Sequence, residues 1–188
     1  MPPVRPTPLR TLRLGQHVPP QSEPHTVGLT STEPLLTCTE AAIVFKNEEG
    51  DGTDRQMTAR LSAVLVRLAG RVAAEWATVQ LRVTEAYDTQ HEHGANSLHY
   101  QGRAADLTTW PISTRRLGRL AGLAVEAGAD WVFYEDAAHV HVSVAALPPF
   151  EPNPSTAMDE LEILDGRSSS AAPAAPGATI GGDGPKAA

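Results

Sequence analysis

The feature that most restricts what this chain can fold into is a change of hydrophobic period just before residue 79. Met57, Leu61, Val64, Leu65, Leu68, Val72 and Trp76 recur at helical spacing, whereas Val79, Leu81 and Val83 alternate with Gln80, Arg82 and Thr84. The first pattern predicts an amphipathic helix and the second a strand with one buried face, ending at Glu85. Thr53, with Gln56 three residues on, reads as a capping box that opens the helix. Further along, Ala105 and Leu107 share one face of a strand and leave Asp106 on the other. Residues 113–127, with Leu117, Leu120, Leu123 and Ala124, form a second helix stopped by Gly128. Trp131 to Tyr134 and Val140 to Val144 complete the pattern as two strands. The expected fold is α+β: a compact single domain with a small mixed or antiparallel sheet packed against two helices.

The ends of the chain differ from this middle. Residues 1–39, punctuated by Pro2, Pro3, Pro6, Pro8, Pro19, Pro20 and Pro24, read as an extended N-terminal arm, and residues 40–148 as the folded domain. Residues 149–166 form an acidic extension. In residues 167–188, seventeen of 22 are Gly, Ala, Pro or Ser, too little apolar surface to offset ordering entropy, so a disordered tail is expected.

Composition excludes several classes of function. Fifteen Lys and Arg against 22 Asp and Glu give a net charge of −7, the wrong sign for neutralising phosphates, so nucleic acid is not an expected partner. Cys38 is the single cysteine, which rules out an internal disulfide and a thiolate metal site and leaves nitrogen and oxygen ligands. No apolar run approaches the length of about 18 residues needed to span a bilayer. The first twenty residues lack the apolar core of a secretion signal, so the cytoplasm is the default compartment, and export by a non-standard route is the alternative.

Five of the seven histidines, His91, His93, His99, His139 and His141, fall between residues 91 and 141. His139 and His141 are two apart on a strand and project from one face. With His99 and Asp106 they offer a His, Asp, His donor set, and a catalytic zinc takes three such ligands. Glu135 is the carboxylate placed to act as base, and His93 or His139 the donor for an oxyanion. The plain alternative is that these are surface or structurally hydrogen-bonded histidines. A second acidic group, Glu48, Glu49, Asp51 and Asp54, with Glu85 and Asp88 downstream, could serve a calcium ion, or only the positive end of the following helix.

Ser97-Leu98-His99-Tyr100-Gln101-Gly102-Arg103-Ala104-Ala105-Asp106-Leu107-Thr108-Thr109 resembles the signature segment of the Hedgehog N-terminal signalling domain. So do residues 123–135 and 138–144. Ile43 to Glu49, Asp54 to Thr58 and Leu81 to Glu85 continue the likeness upstream, and Gln16 to Pro19 resembles the family's arm. The resemblance implies zinc on His99, Asp106 and His141, a base-like Glu135 flanked by His93 and His139, and a calcium groove of Glu48, Glu49, Asp54, Glu85 and Asp88. Gln90 stands where the family has a further aspartate, which argues against two calcium ions. The chain lacks the family's lipid-bearing cysteine and its autoprocessing domain, so the animal signalling role is not carried over. The same zinc fold resembles bacterial peptidases that cut D-alanyl-D-alanine, and the preference for Arg over Lys fits a GC-rich bacterial genome.

Two functions are therefore expected from this reading. One is a bacterial zinc peptidase acting on D-alanyl or other peptidoglycan-type cell-wall peptides, with zinc and calcium as cofactors. The other is a noncatalytic module with a structural zinc that binds a protein partner through calcium.

Overall fold

The computed structural model describes residues 10–19, 22–23, 33–47, 50–90 and 93–147. They all belong to one unit, Met1–Pro148. The acidic extension and the tail expected at residues 149–188 lie outside the described residues, as do most of residues 1–39.

Eight strands and two helices alternate in the order β1 (His17–Val18), β2 (Leu36–Thr37), β3 (Ile43–Phe45), β4 (Gln56–Met57), α1 (Ala59–Glu75), β5 (Gln80–Glu85), β6 (Ala104–Trp110), α2 (Thr114–Ala127), β7 (Trp131–Phe133) and β8 (Val140–Ser143). Six strands form a mixed sheet in the order β1-β7-β8-β6-β5-β3, and β2 pairs with β4 apart from it. Only β3 and β5 run parallel; the other pairs are antiparallel. This is the α+β architecture expected. Among the described residues no helix is long and apolar enough to cross a membrane.

The first helix starts later than its capping box suggests. Thr53 Oγ1 donates to Asp51 Oδ1 at 2.7 Å and lies in a short 3₁₀ turn, Thr53–Arg55. The true cap is Thr58, whose Oγ1 accepts from the Leu61 amide. Gln56 and Met57 are extended because they pair with Thr37 and Leu36, and Met57 is fully buried there. Tertiary pairing thus overrides a local capping signal. The second helix ends where expected: Gly128 takes φ +90°, a left-handed conformation that a residue with a Cβ rarely adopts.

The helices pack side by side, α1 on β5 and α2 on β6, β7 and β8. Leu61, Leu65, Leu68, Leu81, Leu107, Leu117, Leu120, Val132, Val140 and Val142 fill the space between helices and sheet and are all fully buried. Each such side chain contributes about 1.5–3 kcal/mol through its removal from water.

The described residues of the arm expected at 1–39 are sewn into this body. β1 adds to the sheet edge beside β7. Before it, the chain runs along α2, with the Leu12 amide bonded to the Gly118 carbonyl at 2.9 Å. Contact is so close that a Cβ on Gly122 would lie 1.6 Å from the Arg10 carbonyl oxygen.

Candidate metal centre

The register of the sheet carries the site. Glu85 on β5 pairs with Asp106 on β6, Asp106 with His141 on β8, His141 with Phe133 on β7, and Phe133 with His17 on β1. Residues paired across strands point to the same face. Asp106 and His141 therefore meet without help from any loop, and the apolar neighbours Leu107, Val140 and Val142 are left for the core.

His99 arrives from outside the sheet. A 3₁₀ turn, Leu98–Gln101, is opened by Ser97, whose Oγ accepts from the His99 amide at 3.2 Å. It is closed by Gly102 at φ +61°, where a Cβ would come within 2.5 Å of Leu35. His99 is fully buried. Its Nδ1 lies 2.7 Å from the Ala86 carbonyl, which can only accept, so Nδ1 carries the hydrogen and Nε2 presents a lone pair.

That Nε2 is 3.3 Å from His141 Nδ1 and 3.6 Å from Asp106 Oδ1, and the last two atoms are 3.0 Å apart. A tetrahedral zinc with arms of about 2.0–2.1 Å has ligand separations of about 3.3–3.4 Å. The three donors thus already stand at the edges of such a tetrahedron, and their chemistry suits zinc. Burial by itself would push the Asp106 carboxyl up, but the hydrogen bond from His141, with the His99 ring beside it, outweighs it and holds the group far below the usual carboxylate range. Burial would likewise push His141 down. Its bonds to Asp106 and Glu23 prevail and push it up to about 10.

Glu23 is a residue that sequence reasoning missed. Its Oε1 lies 2.8 Å from His141 Nε2, although 118 positions separate the two. A carboxylate behind a ligating imidazole fixes the tautomer and raises the basicity of the ligand. No pattern in the proline-rich arm announces this role; only the chain path shows it.

A cleft of about 680 Å³ opens over the three donors, bounded by Glu23, Glu85, His93, Trp131, Glu135 and His139 among others. His139 Nε2 is 3.2 Å from Glu135 Oε2 and 3.6 Å from Asp106 Oδ2. His93 stacks on His99 with ring centres 4.2 Å apart, bonds Glu85 Oε1 through Nε2 at 2.8 Å, and accepts the Tyr100 hydroxyl at its carbonyl. The six residues expected around zinc are thereby brought to one place.

The residues expected to form a calcium groove are less completely seen, since Glu48 and Glu49 lie outside the described residues. Asp54 and Asp88 are buried, and Asp88 accepts from the Gln90 amide at 2.6 Å. Among the described residues, three groups of His, Asp and Glu have ligand atoms within 4.8 Å of one another: Glu85, His93 and His99; His99, Asp106 and His141; and Asp106, Glu135 and His139. Neither Asp54 nor Asp88 belongs to any of them.

Comparison with known proteins gives a consistent picture. The profile of the Hedgehog amino-terminal signalling domain matches residues 5–143. The chain is 52% identical over 102 residues to the Indian hedgehog protein of Gallus gallus, a stretch that covers 54% of this chain and 25% of the relative. It is 51% identical over 104 residues to the Sonic hedgehog protein of Danio rerio, covering 55% and 25% respectively. It is 50% identical over 102 residues to the protein hedgehog of Drosophila persimilis, covering 54% and 21%. The matched stretch thus spans about a quarter of the length of these relatives, all of which come from animals.

Proposed function

This chain belongs to the Hedgehog amino-terminal signalling domain family, and from that premise we propose that His99, Asp106 and His141 hold zinc and that the cleft above them hydrolyses a peptide bond. One observation carries the reading. Three donors stand at tetrahedral spacing and the fourth direction faces a cleft lined by Glu135 and His139, whereas a structural zinc is closed by four protein ligands. When bound, zinc would supply Lewis acidity, bringing the pKa of water from about 16 to about 7.

The remaining work falls to this chain. Glu135 Oε2, 3.2 Å from His139 Nε2, is placed to take a proton from the attacking water and return it to the leaving amine. His139, held by Asp136 behind and Glu135 in front, is the donor for the developing oxyanion. His93 has its Nε2 engaged by Glu85 and its ring laid on His99, which suits a positioning role for the ligand ring. Trp131 and Phe133 supply an apolar wall on which a peptide backbone can lie. D-alanyl peptides of the cell-wall type are the substrate class implied by the likeness to bacterial peptidases.

A second reading is a noncatalytic module that binds a protein partner through calcium. It is favoured by two buried carboxylates, Asp54 and Asp88, and by the packing of the turn that carries Asp54 against β5, which ends in Glu85.

The deciding experiment incubates zinc-loaded protein with muropeptides, D-alanyl-D-alanine peptides and a panel of L-peptides, read by mass spectrometry. Glu135→Gln should keep its zinc and lose about 10²–10⁴ in rate. If no peptide is cut, or if Glu135→Gln cuts as well as the parent protein, hydrolysis is excluded and the binding module takes its place.

A further inference from the structure

Asp106 offers its two oxygens to different neighbours. Oδ1 faces His141 Nδ1 at 3.0 Å and His99 Nε2 at 3.6 Å, while Oδ2 faces away from that pair, 3.6 Å from His139 Nε2. On the same side Glu135 Oε2 is 3.2 Å from His139 Nε2, and one ligand atom from each of Asp106, Glu135 and His139 falls within 4.8 Å of the others. The separations of 3.2 and 3.6 Å bracket the edge length of about 3.3–3.4 Å found above for the first centre.

The ring of His139 supplies an independent observation. Its Nδ1 is 3.3 Å from Asp136 Oδ1, and that oxygen is itself fixed by the amides of Ala138 at 2.6 Å and His139 at 3.0 Å. A carboxylate anchored behind an imidazole, with the other ring nitrogen turned toward further carboxylates, is the arrangement that orients metal-binding histidines. The same device occurs on the first centre, where Glu23 stands behind His141. The cleft therefore contains two carboxylate-histidine pairs on either side of one shared aspartate.

We infer that Asp106 bridges two cation positions, and that Asp106 Oδ2, Glu135 and His139 form a second site for a divalent transition-metal ion such as zinc or cobalt. One imidazole and two carboxylates suit a borderline ion of this kind. Binuclear hydrolases hold their metals about 3.5–4 Å apart, a spacing compatible with one bridging carboxylate. This second position is the weaker one, because the Glu135 side chain is 45% exposed and must be immobilised, whereas His99 and Asp106 are already fixed. The ion occupies His139 Nε2 and Glu135 together. Excess zinc therefore slows any hydrolysis that uses these two groups; this consequence rests on the proposed function, and the binding itself does not.

The test is a zinc titration of the full chain by calorimetry, with bound metal counted after equilibrium dialysis. The parent protein should bind two ions in two affinity classes. Glu135→Gln and His139→Ala should each keep the tight ion, which also shows that they fold, and lose the weak one by tenfold or more. Saturation of the parent protein at one ion overturns the inference. So does a second ion that persists in both variants, since it then sits elsewhere. Two ions bound by a parent protein that cuts no peptide, with the weak one lost from both variants, would uphold the second site while excluding hydrolysis.

Discussion

Zinc uptake at the His99, Asp106 and His141 centre should release about one proton from His141 per tightly held ion near neutral pH, besides what a metal-bound water gives up, and that number follows from how the donors are held. Asp106 releases none. Burial works against its ionised form, but the hydrogen bond from His141, with the His99 ring beside it, prevails and keeps it a carboxylate well below pH 7. At His99 the Nδ1 hydrogen is held by the Ala86 carbonyl, which turns Nε2 toward the metal position. His141 differs. Although burial disfavours its charged form, its bonds to Asp106 and Glu23 raise it to about 10, so a proton occupies Nδ1 where the metal must bind. Each ion displaces that proton, and zinc affinity should tighten at least about tenfold, or about 1.4 kcal/mol, per pH unit between pH 7 and 9. Calorimetric titration in buffers of different ionisation enthalpy counts the released protons directly. Glu23→Gln should lower the count, because it removes one of the two partners that raise His141. A count below one for the tight ion in the parent protein, or a count that Glu23→Gln leaves unchanged, would refute the reasoning. The metal-free protein should show the opposite trend. A folded-state pKa above the unfolded value of about 6.5 gives stability that is complete below that value and disappears as pH rises through about 10. Metal-free protein should accordingly melt at a lower temperature at pH 9 than at pH 6.

Three further outcomes are expected. Millimolar calcium should raise the melting temperature if Glu48, Glu49, Asp54, Glu85 and Asp88 converge on an ion, since a ligand of the folded state stabilises it by mass action; an unchanged melting curve would leave these carboxylates without that role. Gly122→Ala should cost about 1–3 kcal/mol in urea unfolding and expose the segment around Arg10 to limited proteolysis, because the added methyl has no room beside the Arg10 carbonyl. Leu65→Ala, at a fully buried position on α1, should cost about 2–5 kcal/mol with zinc content unchanged, which would separate core stability from the integrity of the metal centre.

Much of the fold was legible because its signals are local. The helical period of α1, the alternation in β5 and the stop at Gly128 each report burial on one face of one element, which is what periodicity measures. The placement of Asp106 opposite the core was legible for the same reason. Other features depend on partners far along the chain and leave no local trace. Ile43–Phe45 becomes a strand because it lies parallel to β5, and Met57 leaves the helix because it pairs with Leu36. Thr53 looked like a cap because the residue types were right, yet Asp51 claims its hydroxyl. Within the site, His99, Asp106 and His141 could be selected by donor type and the likeness to a family, whereas Glu23 could not, since a lone glutamate among prolines looks like any solvated residue.

The attachment of the arm bears on the order in which this molecule can be completed. Strand β1 needs β7, the segment around Leu12 needs α2, and Glu23 needs His141, all of them encoded a hundred or more residues later. Chains emerge from the ribosome N-terminus first, and contacts of such long sequence separation must close a large loop before they yield any stabilisation. The arm therefore waits until α2, then β7 and finally β8 have been made, and its earliest residues wait for more than a hundred positions. A nascent chain halted before Val140 would hold Asp106 and His99 but neither His141 nor a seat for Glu23. The candidate centre is complete only when the oldest and the youngest parts of the domain meet.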